Sequence, residues 1–436
     1  MCMTWVLIAF VALLVLNVPI AFVIGLSGSV YFLLNGQIPL SVMVNRVVAQ
    51  TQSYSFLAVP FFIFAGSLMN ETGITKGLLK LANMMTRHIF GGLAQTNILL
   101  STMMGGVSGS ACADASMEAR VLGFDMLRRG YPKGYTVAVT CLSSLITATI
   151  PPSVGLILFG YVGGVSIGRL FMAGFVPGIL MCIALMITVT ITARKHGYEP
   201  PTAHLEKLPK GEVAKTLRES FPALLFPVIL LVGIRLGVFT PSEGGAFAVV
   251  YALIIGKFVY KELTWDKFMK SLKNACLDTG VILLIVCMSG IFSYAITMER
   301  IPVVLSKWVL GMTSNPYVLQ LIIMMLLFVL GMFLDSDVNT LLLTPIFIPI
   351  IEAAGIDPVH FGVMMATLLT VGVMTPPVGT ACYIVCGILD CPVEEYVKAS
   401  WPFFLAVLIV FAVLIFFPKD GAEHEPRHPF LCHSLP

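Results

Sequence analysis

The chain has 436 residues, of which 58% are hydrophobic and only 11% charged, with a net charge of +3. A soluble domain carries about 25% charged residues, so a soluble enzyme is excluded, and basic residues confined to short loops give no footprint for nucleic acid. With a mean hydropathy of +0.94 and repeated apolar runs near the ~20 residues that cross a hydrocarbon core, the chain reads as an all-α polytopic membrane protein embedded in a lipid bilayer.

Taken in order, residues 5–34 form the first apolar run. It is too long for a secretory h-region and lacks a basic n-region, so it predicts a span. A second span follows at 56–69. Residues 74–88 mix apolar positions with Lys76, Lys80 and Arg87 and predict an interfacial amphipathic helix. Residues 92–128 leave and regain a basic flank, and their middle, Gly105-Gly106-Val107-Ser108-Gly109-Ser110, is unfit to continue a helix. That pattern predicts a re-entrant hairpin. A helix over 134–165 is interrupted by Pro151-Pro152, and a closing span covers 170–193. A basic segment and a linking helix fill 194–240.

The second half repeats the plan. Spans are predicted at 244–259 and 276–297, and an amphipathic stretch at 301–313. A hairpin over 317–353 has its tip at Asp335–Asn339, a helix over 359–389 is interrupted at Pro376-Pro377, and a last span covers 401–417. The tail, 419–436, is polar with Pro and His, and is expected to be disordered. One skeleton underlies both halves: Ser110, Pro132, Pro151, Pro177 and Ser336, Pro358, Pro376, Pro402, with steps of 22, 19 and 26 residues against 22, 18 and 26. Two matching interrupted helices in corresponding halves point to a transporter's binding site.

Charge sets the orientation. The basic groups at 76–87, 128–133, 194–218 and 257–273 are expected on the cytoplasmic side. The first hairpin therefore opens to the cytoplasm. The second, with no Lys or Arg near either end, opens to the other side. This gives an inverted repeat over 4–193, a cytoplasmic loop and linking helix over 194–240, and a second repeat over 244–418.

Broken helices carry the chemistry. Irregular backbone at membrane depth survives only where protein or a wet cavity satisfies it. One broken end exposes carbonyls that suit a hard cation, and the other exposes N–H groups that suit a carboxylate. At the first tip Ser108 and Ser110 supply hydroxyls while Gly109 lets the backbone turn; the facing break offers Pro151, Ser153 and Gly155. Asp114 falls in the first turn after the tip, either as a helix-start carboxylate with Ser110 as cap or as an ion ligand. At the second tip Asp335, Ser336, Asp337 and Asn339 gather, with either aspartate able to cap the following arm; the facing break offers Thr375, Pro376, Gly379 and Thr380. Glu118 lies four residues beyond Asp114 on the same helix face, where intramolecular pairing competes with substrate contact. Ten cysteines are scattered mostly through apolar segments, no paired His/Glu metal pattern occurs, and no GxxxxGK[ST] is present, so neither redox chemistry nor ATP hydrolysis is indicated.

At these residues the chain resembles the large membrane subunit of tripartite ATP-independent periplasmic (TRAP) transporters over about residues 4–418. Its most specific stretches are Gly106-Val107-Ser108-Gly109-Ser110 with Ala113-Asp114 and Gly130-Tyr131, Ile150-Pro151-Pro152-Ser153, Met332-Phe333-Leu334-Asp335-Ser336 and Thr375-Pro376-Pro377-Val378-Gly379. The resemblance implies an inner-membrane secondary transporter and not an enzyme. It implies uptake of an organic anion such as a C4-dicarboxylate, keto acid or sugar acid, delivered by an extracytoplasmic solute-binding protein. A sodium gradient drives that uptake, with no other cofactor, and an elevator core moves against a scaffold completed by a small four-helix membrane subunit. No such subunit precedes Trp5, so a separate partner chain is expected. Sodium is expected at the tips (Ser108, Ser110, Asp335, Ser336) and at the breaks (Ser153, Gly155, Thr375, Thr380). After Asp114 the family commonly runs Ala-Ala-Ala with Gly, whereas this chain reads Ala115-Ser116-Met117-Glu118-Ala119-Arg120, a departure that bears on substrate more than on architecture. The alternative is a stand-alone anion:cation symporter or exchanger of the related inverted-hairpin group.

Overall fold

The computed structural model of the chain describes residues 2–36, 38–200, 211–312, 315–376 and 378–416. The expected tail disorder, Pro377 and part of the basic loop lie outside the described residues. Among those described, every regular element is a helix. The chain opens with α1 (Cys2–Val15), α2 (Ile20–Leu34), α3 (Leu40–Thr51), α4 (Ala58–Glu71) and α5 (Ile74–Thr86). Hairpin one is α6 (Gly92–Gly105) and α7 (Ala111–Glu118), the latter running through a π-helical turn into α8 (Phe124–Arg128). Next come α9 (Lys133–Thr149), α10 (Val154–Gly163), α11 (Ile167–His196), α12 (Glu212–Arg235), α13 (Pro241–Ile254), α14 (Trp265–Met298) and α15 (Ile301–Met312). Hairpin two is α16 (Pro316–Gly331) and α17 (Ser336–Ala353), followed by α18 (Pro358–Val373), α19 (Thr380–Leu389) and α20 (Val393–Phe416).

Six of these helices are long and apolar enough to cross a membrane, or eight if two bent pairs each count as one span. The bent pairs are α3 with the segment Tyr54–Glu71, at 50°, and α9 with α10, at 44°. The proline skeleton explains the boundaries. Pro132 is the N-cap of α9 and Pro358 opens α18, because a residue without an N–H suits a helix start. Asp357 completes the second start, accepting hydrogen bonds from Val359 N at 2.6 Å and His360 N at 3.2 Å.

Two expectations need correction. Residues 5–34 are not one span: the chain breaks at Asn17, which has φ +57°, and restarts at Pro19, the N-cap of α2, so that α1 packs against α2. The stretch 74–88 does not lie on lipid with its apolar face. α5 buries Ile74, Leu78, Leu81 and Ala82, an i, i+4, i+7, i+8 stripe, against α6 and α12.

Packing sorts the helices into two sets. α14 packs against α2, α3 and α4, and α4 and α12 both pack against α13. In the other set α6, α7, α11, α18, α19 and α20 pack around α9, while α17 packs against α10 and α18, and α16 against α18. α5 bridges α6 to α12, and α15 bridges α14 to α17. Glycines let backbones close on one another inside the second set: a Cβ on Gly331 would lie 2.9 Å from the Leu369 carbonyl oxygen. Salt bridges Lys76–Glu262 (3.1 Å) and Lys80–Glu219 (3.4 Å) bring the basic segments of α5 beside those following α11 and α13. Exposed pairs of this kind contribute only about 0–1 kcal/mol each, so their value here is positional.

Candidate functional site

Hairpin one turns through Gly109, which has φ +64°, a conformation that costs any side-chain-bearing residue. Its Cα faces the first break so closely that a Cβ would strike the Pro152 carbonyl oxygen and lie 3.5 Å from Ser153 Cα. α10 starts beside α17: a Cβ on Gly155 would lie 3.9 Å from Asp337 Oδ1. The circuit closes through α7 and α19, which pack against each other, with Cys112 in the first turn of α7 and Thr380 opening α19. Four helices, α7, α10, α17 and α19, thus begin at one place.

Three of those four starts have no side-chain cap. Ser110 and Ser153 stand at N-cap positions without a capping hydrogen bond, and Gly379 has no side chain to offer. The expectation that Ser110 caps α7 is therefore corrected. Leading N–H groups left open in this way, aligned with the positive end of the helix dipole, attract an anion. Helix α17 differs: Asp335 accepts from Asp337 N at 3.0 Å and is its cap. Asn339 is also engaged locally, donating to the Leu330 and Leu334 carbonyls at 3.2 and 3.1 Å. The carboxylate turned to break one is Asp337, which the sequence left undistinguished from its neighbour.

The other expected residues fall around the same place. Ser108 Oγ is buried with no partner, and its carbonyl lies 3.2 Å from where a Cβ on Gly66 of α4 would sit. Ser336 is the first residue of α17, its carbonyl accepting from Thr340 at 2.8 Å. Thr375 Oγ1 turns back onto Val371 O at 2.7 Å. At break two the Met374 carbonyl is satisfied by Tyr396 Oη of α20 at 2.5 Å. Leaving a buried acceptor unpaired costs about 1–3 kcal/mol, so Tyr396→Phe is expected to lower the unfolding temperature in detergent measurably. An unchanged unfolding curve would show that break two does not depend on this bond.

Beneath tip one lies a feature that sequence reading only half found. Asp114 and Glu118 are 1% and 0% exposed. Thr147 Oγ1 of α9 lies 2.6 Å from Asp114 Oδ2, Ser101 Oγ of α6 donates to Glu118 Oε1 at 2.8 Å, and Ser143 Oγ lies 3.3 Å from Glu118 Oε2. Asn97 joins through Ser143 at 2.8 Å and Thr140 at 3.0 Å. Asp114 Oδ1 has no partner. The signal was present in the polar residues of α6 and α9, Asn97, Ser101, Thr140, Ser143 and Thr147, which look dispersed until both helices pack on α7.

The family model for the tripartite ATP-independent periplasmic transporter, DctM component, matches residues 7–419. The chain belongs to this family. It is a large TRAP permease subunit and a multi-pass membrane protein, and its relatives are permeases, not enzymes. The sialic acid TRAP transporter large permease protein SiaM of Vibrio cholerae is 36% identical, over 94% of this chain and 95% of its own. The 2,3-diketo-L-gulonate TRAP transporter large permease protein YiaN of Escherichia coli is 31% identical, over 92% and 94%. The sialic acid TRAP transporter permease protein SiaT of Haemophilus influenzae is 32% identical over 96% of this chain but 66% of its own. Among solved structures, the YdaH transporter of Alcanivorax borkumensis superposes with a TM-score of 0.63 over 88% of this chain and 89% of its own, at 13% identity. That last likeness is one of fold alone.

Proposed function

We propose that this subunit carries a small carboxylate across the inner membrane, driven by a sodium gradient, after an extracytoplasmic binding protein delivers it. The observation that carries this reading is the meeting of four helix starts with hydroxyls and a carboxylate at one place. Uncapped N–H ends suit the substrate's carboxylate. Oxygens at the broken ends, with the Ser108 and Ser110 hydroxyls and Asp337, suit hard monovalent cations. The relatives act on sialic acid and 2,3-diketo-L-gulonate, both acids, which supports an anionic substrate. Membership of the family supports a small membrane subunit as a partner, and the greater length of SiaT is consistent with it.

The two halves are read as inverted repeats, supported by equal landmark spacing and by corresponding elements: α6–α7 with α16–α17, and α9–α10 with α18–α19. The set around α9 is the moving core and the set around α14 the scaffold. Small residues where they meet support sliding: Gly66 lies beneath the Ser108 carbonyl, and a Cβ on Gly106 would meet Pro227 Cβ of α12 at 2.5 Å.

Uptake into proteoliposomes holding this chain, its small partner and the binding protein tests the reading, with sodium and proton gradients compared. Sodium-driven accumulation of a carboxylate is expected, and accumulation indifferent to sodium would defeat it. In the same assay Asp337→Asn is expected to lower uptake more than Asp335→Asn, because only the former carboxylate faces break one. Equal losses would return both residues to a capping role.

A further inference from the structure

Glu199, just beyond α11, adopts φ +42° and is 8% exposed. Its carboxylate accepts from Leu93 N at 2.8 Å and from Tyr131 Oη at 2.7 Å, and it pairs with Arg129. Its carbonyl accepts from Gly91 N at 3.2 Å. Gly91 is the N-cap of α6 and has no side chain to cap it, so Glu199 takes that role from more than 100 residues away along the chain. One residue therefore holds both roots of hairpin one: its main-chain carbonyl and carboxylate hold the entry at Gly91 and Leu93, and its carboxylate holds the exit at Arg129 and Tyr131. A second level of ties lies above it: Gln95 Nε2 donates to Met186 O and to Thr190 Oγ1, each at 2.9 Å, and Tyr135 Oη pairs with Thr192 at 2.8 Å. Tyr131, Tyr135 and Tyr198 fill the gap with ring centroids 5.1–5.9 Å apart.

We propose that Glu199 is a positioning residue that clasps both roots of hairpin one to the end of α11, so that this hairpin travels with the core as a rigid element and does not hinge open at its base. This rests on the transport reading above and concerns how its site is kept in shape. A helix start buried without a cap leaves N–H groups unsatisfied. Removing the carboxylate takes one shared partner from Leu93 N, Tyr131 and Arg129 together, and the hairpin root loosens as a unit.

Hydrogen exchange and uptake on the full chain in lipid test this, with Glu199→Ala, Glu199→Gln and Tyr131→Phe compared. In Glu199→Ala, exchange at Leu93 is expected to rise by about tenfold or more while that of α16 stays within about twofold of wild type. Glu199→Gln keeps a carbonyl oxygen for Leu93 N and Tyr131, and is expected to restore most of the protection; Tyr131→Phe falls between. Maximal uptake should drop about tenfold in Glu199→Ala with half-saturating substrate nearly unchanged, since the tips keep their own contacts. Unchanged exchange at the root, or a rise spread equally over both hairpins, would overturn the clasp. A wild-type chain that shows no sodium-driven uptake would defeat the transport reading, and the exchange pattern would still decide the clasp.

Discussion

Gly109→Ala is expected to reduce uptake to about a hundredth of wild type or less, a loss equivalent to roughly 2.7 kcal/mol, while the protein still inserts. Two costs coincide at this residue. A φ of +64° disfavours an L side chain by roughly 1–2 kcal/mol. The new Cβ would also strike the Pro152 carbonyl oxygen, and neither neighbour is a flexible side chain that can swing aside. The tip must lift off the break, separating the starts of α7 and α10. Gly164 isolates the second cost, because it shares φ +64° but has nothing within 4 Å of where a methyl group would sit. Gly164→Ala should therefore lose only the conformational part. Initial rates normalised to inserted protein make the comparison, and equal rates for the two variants would mean that the tip–break contact is not needed for transport.

Much of the architecture was legible because proline and glycine write helix boundaries directly. Each landmark of the repeated skeleton sits at a boundary or inside a predicted helix: Ser110 and Ser336 at the starts of α7 and α17, Pro132 and Pro358 at those of α9 and α18, Pro177 and Pro402 within α11 and α20. The break between α1 and α2 was equally legible in Asn17 and Pro19, but hydropathy outweighed it. Pro within a membrane helix is tolerated often enough that an apolar run masks a true stop. For α5, amphipathic spacing was read well and its burial was not, since the same stripe serves lipid or protein and only tertiary contact decides between them.

The site divides along the same line. Residues whose backbone makes the site, Gly109, Pro151, Ser153, Gly155 and Gly379, were found by local sequence grammar. Residues whose side chains act across helices were not. Asp335 and Asp337 look alike in sequence, and only the turn of α17 makes one a cap and aims the other at Gly155. Glu199 was not singled out in the sequence, because nothing local announces that it will cap α6. Long-range capping has no period and no spacing rule.

Glu118→Gln is expected to leave the protein at least as stable as wild type without sodium, and to remove part of the stabilisation that bound sodium gives. The reason is a shortage of donors. Ser101, Ser143 and Thr147 hold one hydroxyl proton each. Within reach of those three lie six acceptors: Asp114 Oδ2, both Glu118 oxygens, Asn97 Oδ1 and the carbonyls of Ser101 and Thr140. Asp114 Oδ1 has nothing, and among the described residues no salt bridge reaches either carboxylate. Two adjacent buried carboxylates cannot both stay charged in that setting without a proton or a cation to balance them. If a sodium ion supplies the balance, saturating it at about 100 times its Kd stabilises the folded state by about 2.7 kcal/mol. Neutralising Glu118 lifts the repulsion in the empty site and weakens the ion's hold when it binds. Thermal unfolding in nanodiscs with sodium or with an organic cation measures both effects. Equal sodium-induced shifts in wild type and Glu118→Gln would leave the pair balanced by a proton and would move the coupling ions wholly to the tips and breaks.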